Sequence, residues 1–82
     1  MSLTGRELIV APTAIERMSE ARVTPEERLA ISRLLHDLCG NPMLGYEIPF
    51  QHPTMYRIDA GRFHIHYRFD DQYLKIGFIG VY

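Results

Sequence analysis

The chain has a single cysteine, no tryptophan, no long apolar run and almost no net charge. One cysteine, Cys39, excludes an intramolecular disulfide and a cysteine-built zinc cluster. Its place beside Leu38, near the end of a predicted helix, is that of a small buried hydrophobe, and no local motif offers a base to activate it. No apolar stretch approaches the roughly 18–20 residues needed to cross a bilayer. The polar start Met1-Ser2-Leu3-Thr4-Gly5-Arg6-Glu7 leaves only Leu8 to Val10 as an apolar segment, too short for a signal peptide. The expected location is therefore the cytoplasm, with no membrane partner. A formal charge of −1 gives no overall positive field toward nucleic acid, so any such site has to be a local patch.

What is present suits a small folded domain. At 82 residues, 46% hydrophobic, with four Phe and five Tyr, the chain can build one modest core, and a single domain over 1–82 is expected. Repeats, low-complexity segments and linkers are lacking, and Met1-Ser2-Leu3 joins no pattern.

Glu7-Leu8-Ile9-Val10-Ala11 reads as a short strand bounded by Pro12. Thr13 and Glu16 stand at capping-box spacing ahead of a short helix over about 13–22, whose apolar stripe is Ile15 and Met18 with Ala14 and Ala21. Thr24-Pro25-Glu26-Glu27 is a stronger start, with a Thr N-cap, Pro at the first helical position and Glu three residues after the cap. Ile31, Leu34, Leu35 and Leu38 then form one buried face of a helix over 24–39, which Gly40-Asn41-Pro42 ends, Gly40 being suited to a left-handed turn. The short gap between the helices predicts an antiparallel hairpin lying on a sheet.

From Met43 the period changes to two. Tyr46 to Phe50 is a predicted strand, weakened by Pro49. In Met55-Tyr56-Arg57-Ile58-Asp59, Tyr56 and Ile58 oppose Met55, Arg57 and Asp59. Ala60-Gly61 predicts a hairpin turn into 62–69, and Asp70-Asp71-Gln72 a turn into a final strand over 73–82. In that strand Leu74, Ile76 and Phe78 are expected inside, alternating with Tyr73, Lys75 and Gly77.

The functional clue is Arg62-Phe63-His64-Ile65-His66-Tyr67-Arg68-Phe69. Its odd positions are apolar or aromatic and its even positions basic or titratable, as in a strand with one buried and one open face. Hairpin pairing would gather Arg57, Arg62, His64, His66, Arg68 and Lys75 on that open face, with Asp59 as an orienting carboxylate. Two imidazoles among guanidiniums are suited to metal-free cleavage of RNA by its own 2′-hydroxyl, which needs a base, an acid and phosphate clamps. Tyr73 and Tyr82 are candidates to stack a base. Two other readings stand beside this one. Antiparallel sheets commonly keep one face wet, which alone accounts for polar residues there. His64 and His66 also lie on one side of a strand as in some zinc sites, although no third ligand is evident. His52 reads as a loop residue and His36 as a boundary residue of the second helix.

The residues Ala11-Pro12-Thr13-Ala14, the helix end before Asn41-Pro42, and above all the run from Met55 to Ile76 resemble the RelE/ParE toxin superfamily. That run is similar to the family's Tyr-Arg-Ile, Gly, Arg, Ile-Tyr, Asp-Asp pattern followed by a hydrophobic strand. The likeness is to a short, divergent member and concentrates in residues 55–79. It implies an α+β fold, a helical hairpin on a mostly antiparallel sheet of four to five strands. It also implies the toxin half of a toxin–antitoxin pair: RelE-like toxins cut messenger RNA in the ribosome, whereas ParE-like relatives poison gyrase. By position, Arg57 matches a basic residue of the family's strand. His64 falls where RelE-like toxins usually carry an arginine on the scissile phosphate, His66 has no strong counterpart, and Asp59 stands where lysine is frequent. The family continues beyond the position of Tyr82 into a basic residue and a tail. The expectation is thus a metal-independent endoribonuclease without a cofactor. His64, His66 and Arg57 are its catalytic candidates, and Arg62, Arg68, Lys75, Asp59 and Tyr73 contact RNA. Its expected partners are an antitoxin peptide, the ribosome and messenger RNA. The alternative is a non-catalytic interaction domain of the same fold, binding an antitoxin-like helix, gyrase, or a second copy through a sheet edge.

Overall fold

Alternation of apolar and polar residues over 63–69 produces the central strand of the sheet. In the computed structural model, which describes residues 5–82, Phe63, Ile65 and Tyr67 are buried while His64 and His66 lie half-buried on the opposite face. The first four residues, and with them the expectation for Met1-Ser2-Leu3, lie outside the described residues. The elements are β1 (Glu7–Val10), α1 (Pro12–Glu20), α2 (Pro25–Gly40), a 3-10 turn (Pro42–Leu44), β2 (Tyr46–Glu47), β3 (Tyr56–Ala60), β4 (Phe63–Phe69) and β5 (Tyr73–Val81). The five strands are ordered β1-β5-β4-β3-β2. All neighbours are antiparallel except β1, which runs parallel to β5, as it can because α1 and α2 intervene.

The helices cover one face. Ala14 of α1 and Ile31, Leu35 and Leu38 of α2 close on Phe63, Ile65, Tyr67, Leu74, Ile76 and Ile79 to form the core. Thr24 and Glu27 make the expected capping box, the Glu27 amide donating to Thr24 Oγ1 and the Thr24 amide to Glu27 Oε1. Tyr67, fully buried, ties the 3-10 turn to the sheet: its hydroxyl donates to the Pro42 carbonyl at 2.6 Å and accepts from the Gly45 amide at 3.1 Å.

Several local expectations are corrected. Helix α1 starts at Pro12, whose fixed φ and missing N–H suit a first helical position, so Thr13 lies inside the helix and makes no cap. Ile15 is 57% exposed, leaving Ala14 and Met18 to face the core. Gly40 remains helical, and Asn41 with Pro42 makes the stop. The strand expected over Tyr46 to Phe50 shrinks to Tyr46–Glu47, well short of Pro49, which has no N–H to donate to a ladder. The β3–β4 turn is Gly61-Arg62, with Gly61 at φ +59° and Ala60 still paired to Phe63, so Arg62 belongs to the turn rather than to the strand.

The largest correction lies in β5. Pairing passes from His66↔Phe78 to Tyr67↔Ile76, which leaves Gly77 as an extra residue, a β-bulge. The bulge reverses the phase of the strand. Ile79, not Phe78, enters the core, and Phe78 stands on the open face at 40% exposure.

Candidate functional site

The open face carries two neighbouring groups of side chains. The first is centred on His64 and His66, which β4 projects away from the helices. On β3 they pair with Asp59 and Arg57, and on β5 with Gly80 and Phe78. The imidazole centroids are 5.6 Å apart. His64 packs against Tyr82 at 5.0 Å and Phe78 at 5.8 Å, and His66 against Phe78 at 5.3 Å. His64 also lies directly on the β5 backbone: a Cβ at position 80 would collide with its Nε2 and Cε1 and approach Phe78 to 2.8 Å. Gly80 is what leaves room for that imidazole.

Arg57 and Asp59 border this cluster. Arg57 Nε donates to Asp59 Oδ1 at 3.1 Å, its Nη2 donates to the Tyr82 hydroxyl, and that hydroxyl donates to Asp59 Oδ1 at 3.2 Å. Each imidazole keeps one ring nitrogen, His64 Nδ1 and His66 Nε2, shut from solvent without a hydrogen-bond partner. A neutral imidazole can leave a bare acceptor nitrogen in such a place, whereas an imidazolium would have to bury an unmet N–H. Burial first, then the charges of His64 and Arg57, push the His66 imidazole below its ordinary pKa, against the opposing pull of Asp59. His66 is thereby held in its proton-accepting form.

The second group lies further along the same strands. Arg68 and Lys75 are directly opposed across β4 and β5, and both are exposed. Neither has an ion-pair partner among the described residues. The Lys75 ammonium is 5.9 Å from the centre of the Tyr73 ring. The two cations border a cleft of about 350 Å³, also lined by Ile9, Ala11, Met55, Ile76 and Gly77.

Arg62 joins neither group. Its guanidinium grips Glu27 (Nε to Oε2 2.6 Å, Nη2 to Oε1 3.0 Å), donates to the Ala21 carbonyl at 2.9 Å, and lies over the Phe63 ring at 4.8 Å. It clamps the helical hairpin to the turn that carries it and holds the Glu27 carboxyl down at about 2. The structure therefore brings together Arg57, Asp59, His64 and His66, sets Arg68, Lys75 and Tyr73 beside them, and sends Arg62 to the helix side. Sequence reasoning missed Phe78 and Gly80, and foresaw Tyr82 only as a stacking group. The signal was the pair Gly77 and Gly80 in an otherwise strand-like run, since an isolated glycine there marks a bulge or a close approach.

Among the described residues no three His, Cys, Asp or Glu side chains converge as metal ligands. A wider hollow of about 600 Å³ between β1 and the end of α2 contains Arg6, His36 and Cys39. There Arg6 is already bonded to the carbonyls of Asp70 and Cys39, and burial raises the Cys39 thiol, which suits neither an anion nor a thiolate.

The chain matches no family model and no curated protein sequence. Its fold matches that of a chain in the crystal structure of the toxin–antitoxin complex RelBE2 from Mycobacterium tuberculosis. The TM-score is 0.78 at 16% identity, over 99% of this chain and 95% of the other. The fold is RelE-like: two helices on one face of a mostly antiparallel sheet.

Proposed function

We propose that this chain is the toxin component of a toxin–antitoxin pair, a single cytoplasmic domain that cleaves messenger RNA on the ribosome through its open sheet face. The observation that carries the reading is the placement of two imidazoles on one strand, with a guanidinium across from them on β3 and the Arg68–Lys75 pair further along. The likeness of fold to a chain of a toxin–antitoxin complex adds support.

The chemistry needs no cofactor. The RNA 2′-hydroxyl attacks the adjacent phosphorus; the O2′–P bond forms as the P–O5′ bond breaks. His66, neutral because of its burial, accepts the 2′ proton; His64 passes a proton to the leaving 5′ oxygen once its Nδ1 is uncovered from Phe78 and Tyr82 and can be protonated from solvent. Arg57 exchanges Asp59 for the phosphate and stabilises the charge gathering on it, while Tyr73 offers a face to a base.

One observation favours a second reading, a non-catalytic interaction domain. Arg57, Asp59 and Tyr82 satisfy one another, and the histidines pack under Phe78 and Tyr82. Bacterial growth after induction separates the two. Arrest by the intact chain, relieved by His64→Ala with His66→Ala at equal soluble abundance, supports the nuclease; equal arrest by both, or none by either, refutes it.

A further inference from the structure

The Arg68–Lys75 pair calls for an anion. Like charges directly opposite on neighbouring strands repel, and neither forms an ion pair among the described residues; Asp70, near enough to feel the Lys75 charge, is taken up by the Gln72 and Tyr73 amides. A wet sheet face would be as well served by one of the two charges reversed. What the pair borders is also not a flat surface: the cleft of about 350 Å³ has the apolar side chains of Ile9 and Met55 in its lining. Ile9 is 42% exposed, an apolar side chain on β1 directly beside Lys75. The Lys75 ammonium lies over the Tyr73 ring, which does not itself line the cleft. Two cations on an apolar hollow with a neighbouring aromatic ring match a phosphate joined to a planar, weakly polar group better than they match a bare anion.

We propose that this cleft is a nucleotide subsite. Arg68 and Lys75 hold one phosphate, and the attached base lies against Ile9, beside Lys75 on β1. Resting on the reading of the open face as an RNA-cleaving surface, the subsite takes the nucleotide flanking the scissile bond. It thereby fixes which phosphodiester reaches His64 and His66. Arg68 follows His66 by two positions on β4, so one strand offers both the clamp and the imidazole on one face.

The test reads binding rather than cleavage, so its failure is separate from failure of the nuclease reading. The intact chain, labelled for amide chemical-shift mapping, is titrated with nucleoside 5′-monophosphates and with inorganic phosphate. The expected result is shifts gathered at Ile9, Met55, Arg68, Lys75 and Gly77, with a nucleotide binding about tenfold more tightly than inorganic phosphate because only it fills the hollow. Arg68→Gln with Lys75→Gln should weaken nucleotide binding by about tenfold or more. Gly77→Leu is the second variant. A Cβ there meets nothing within 4 Å, so the fold tolerates it while the longer side chain blocks the cleft and weakens the nucleotide. Equal affinity for inorganic phosphate and nucleotide, shifts confined to other parts of the sheet, or unchanged binding in both variants would overturn the subsite.

Discussion

Gly80→Ala tests the packing of His64 with a definite sign. Gly80 has an ordinary φ, so alanine there relieves chain entropy and would stabilise a strand by about 0.5–1 kcal/mol if the space were free. It is not free, because the new methyl falls on the His64 imidazole and within 2.8 Å of Phe78. Forcing a methyl into a filled position costs about 1–3 kcal/mol. The net expectation is a loss of about 0.5–2 kcal/mol, which for a domain of this size lowers Tm by roughly 4–8 °C per kcal/mol. In a His64→Ala background the obstacle is gone and Phe78, 40% exposed, has room to turn, so the same substitution should gain the intrinsic ~0.5–1 kcal/mol. Urea unfolding of the four proteins of this cycle should give a coupling of about 1–3 kcal/mol. A Gly80→Ala effect of the same size and sign in both backgrounds would refute the placement of His64 on the β5 backbone.

Further outcomes follow from the same contacts. Tyr67→Phe leaves the Gly45 amide and the Pro42 carbonyl without their buried partner and should cost about 1–3 kcal/mol in urea unfolding with little change in fold. Arg62→Ala should let the Glu27 carboxyl rise from about 2 toward its ordinary 4.5, read by carboxyl-carbon titration. Because the folded value is depressed, the stability this pair gives is complete above 4.5 and is lost as pH falls through about 2; the variant should lack that acid-dependent part. For His66 the folded pKa is also depressed, so the unfolded chain binds the proton more readily. Stability should be full above 6.5 and decline as pH falls from there, and His66→Gln should flatten that slope in urea midpoints.

Much of this architecture is legible in the sequence because it rests on local rules. The Thr24-Pro25-Glu26-Glu27 start, the Ile31, Leu35, Leu38 face and the alternation over 63–69 each state a capping, helical or strand period that tertiary packing then keeps. What escapes is set by contacts between distant segments. The inward turn of Ile79 depends on a bulge that exists only in the pairing of β5 with β4. The capture of Arg62 by Glu27 spans 35 residues and follows from the helical hairpin resting beside the Gly61-Arg62 turn. Alternation alone places Arg62 with His64, but the turn removes it. The role of Gly80 belongs to the same class, since only the folded sheet shows which imidazole lies above it.

The most direct measurement of the RNA-cleaving function uses ribosomes carrying a defined messenger RNA, incubated with the purified chain and analysed for the ends formed. The account predicts 2′,3′-cyclic phosphate ends, no cut where the nucleotide 5′ of the scissile bond is replaced by its 2′-deoxy form, and no cut by the His64→Ala, His66→Ala variant. Cleavage that survives either change, or an intact transcript after incubation with the folded wild-type chain, would contradict it.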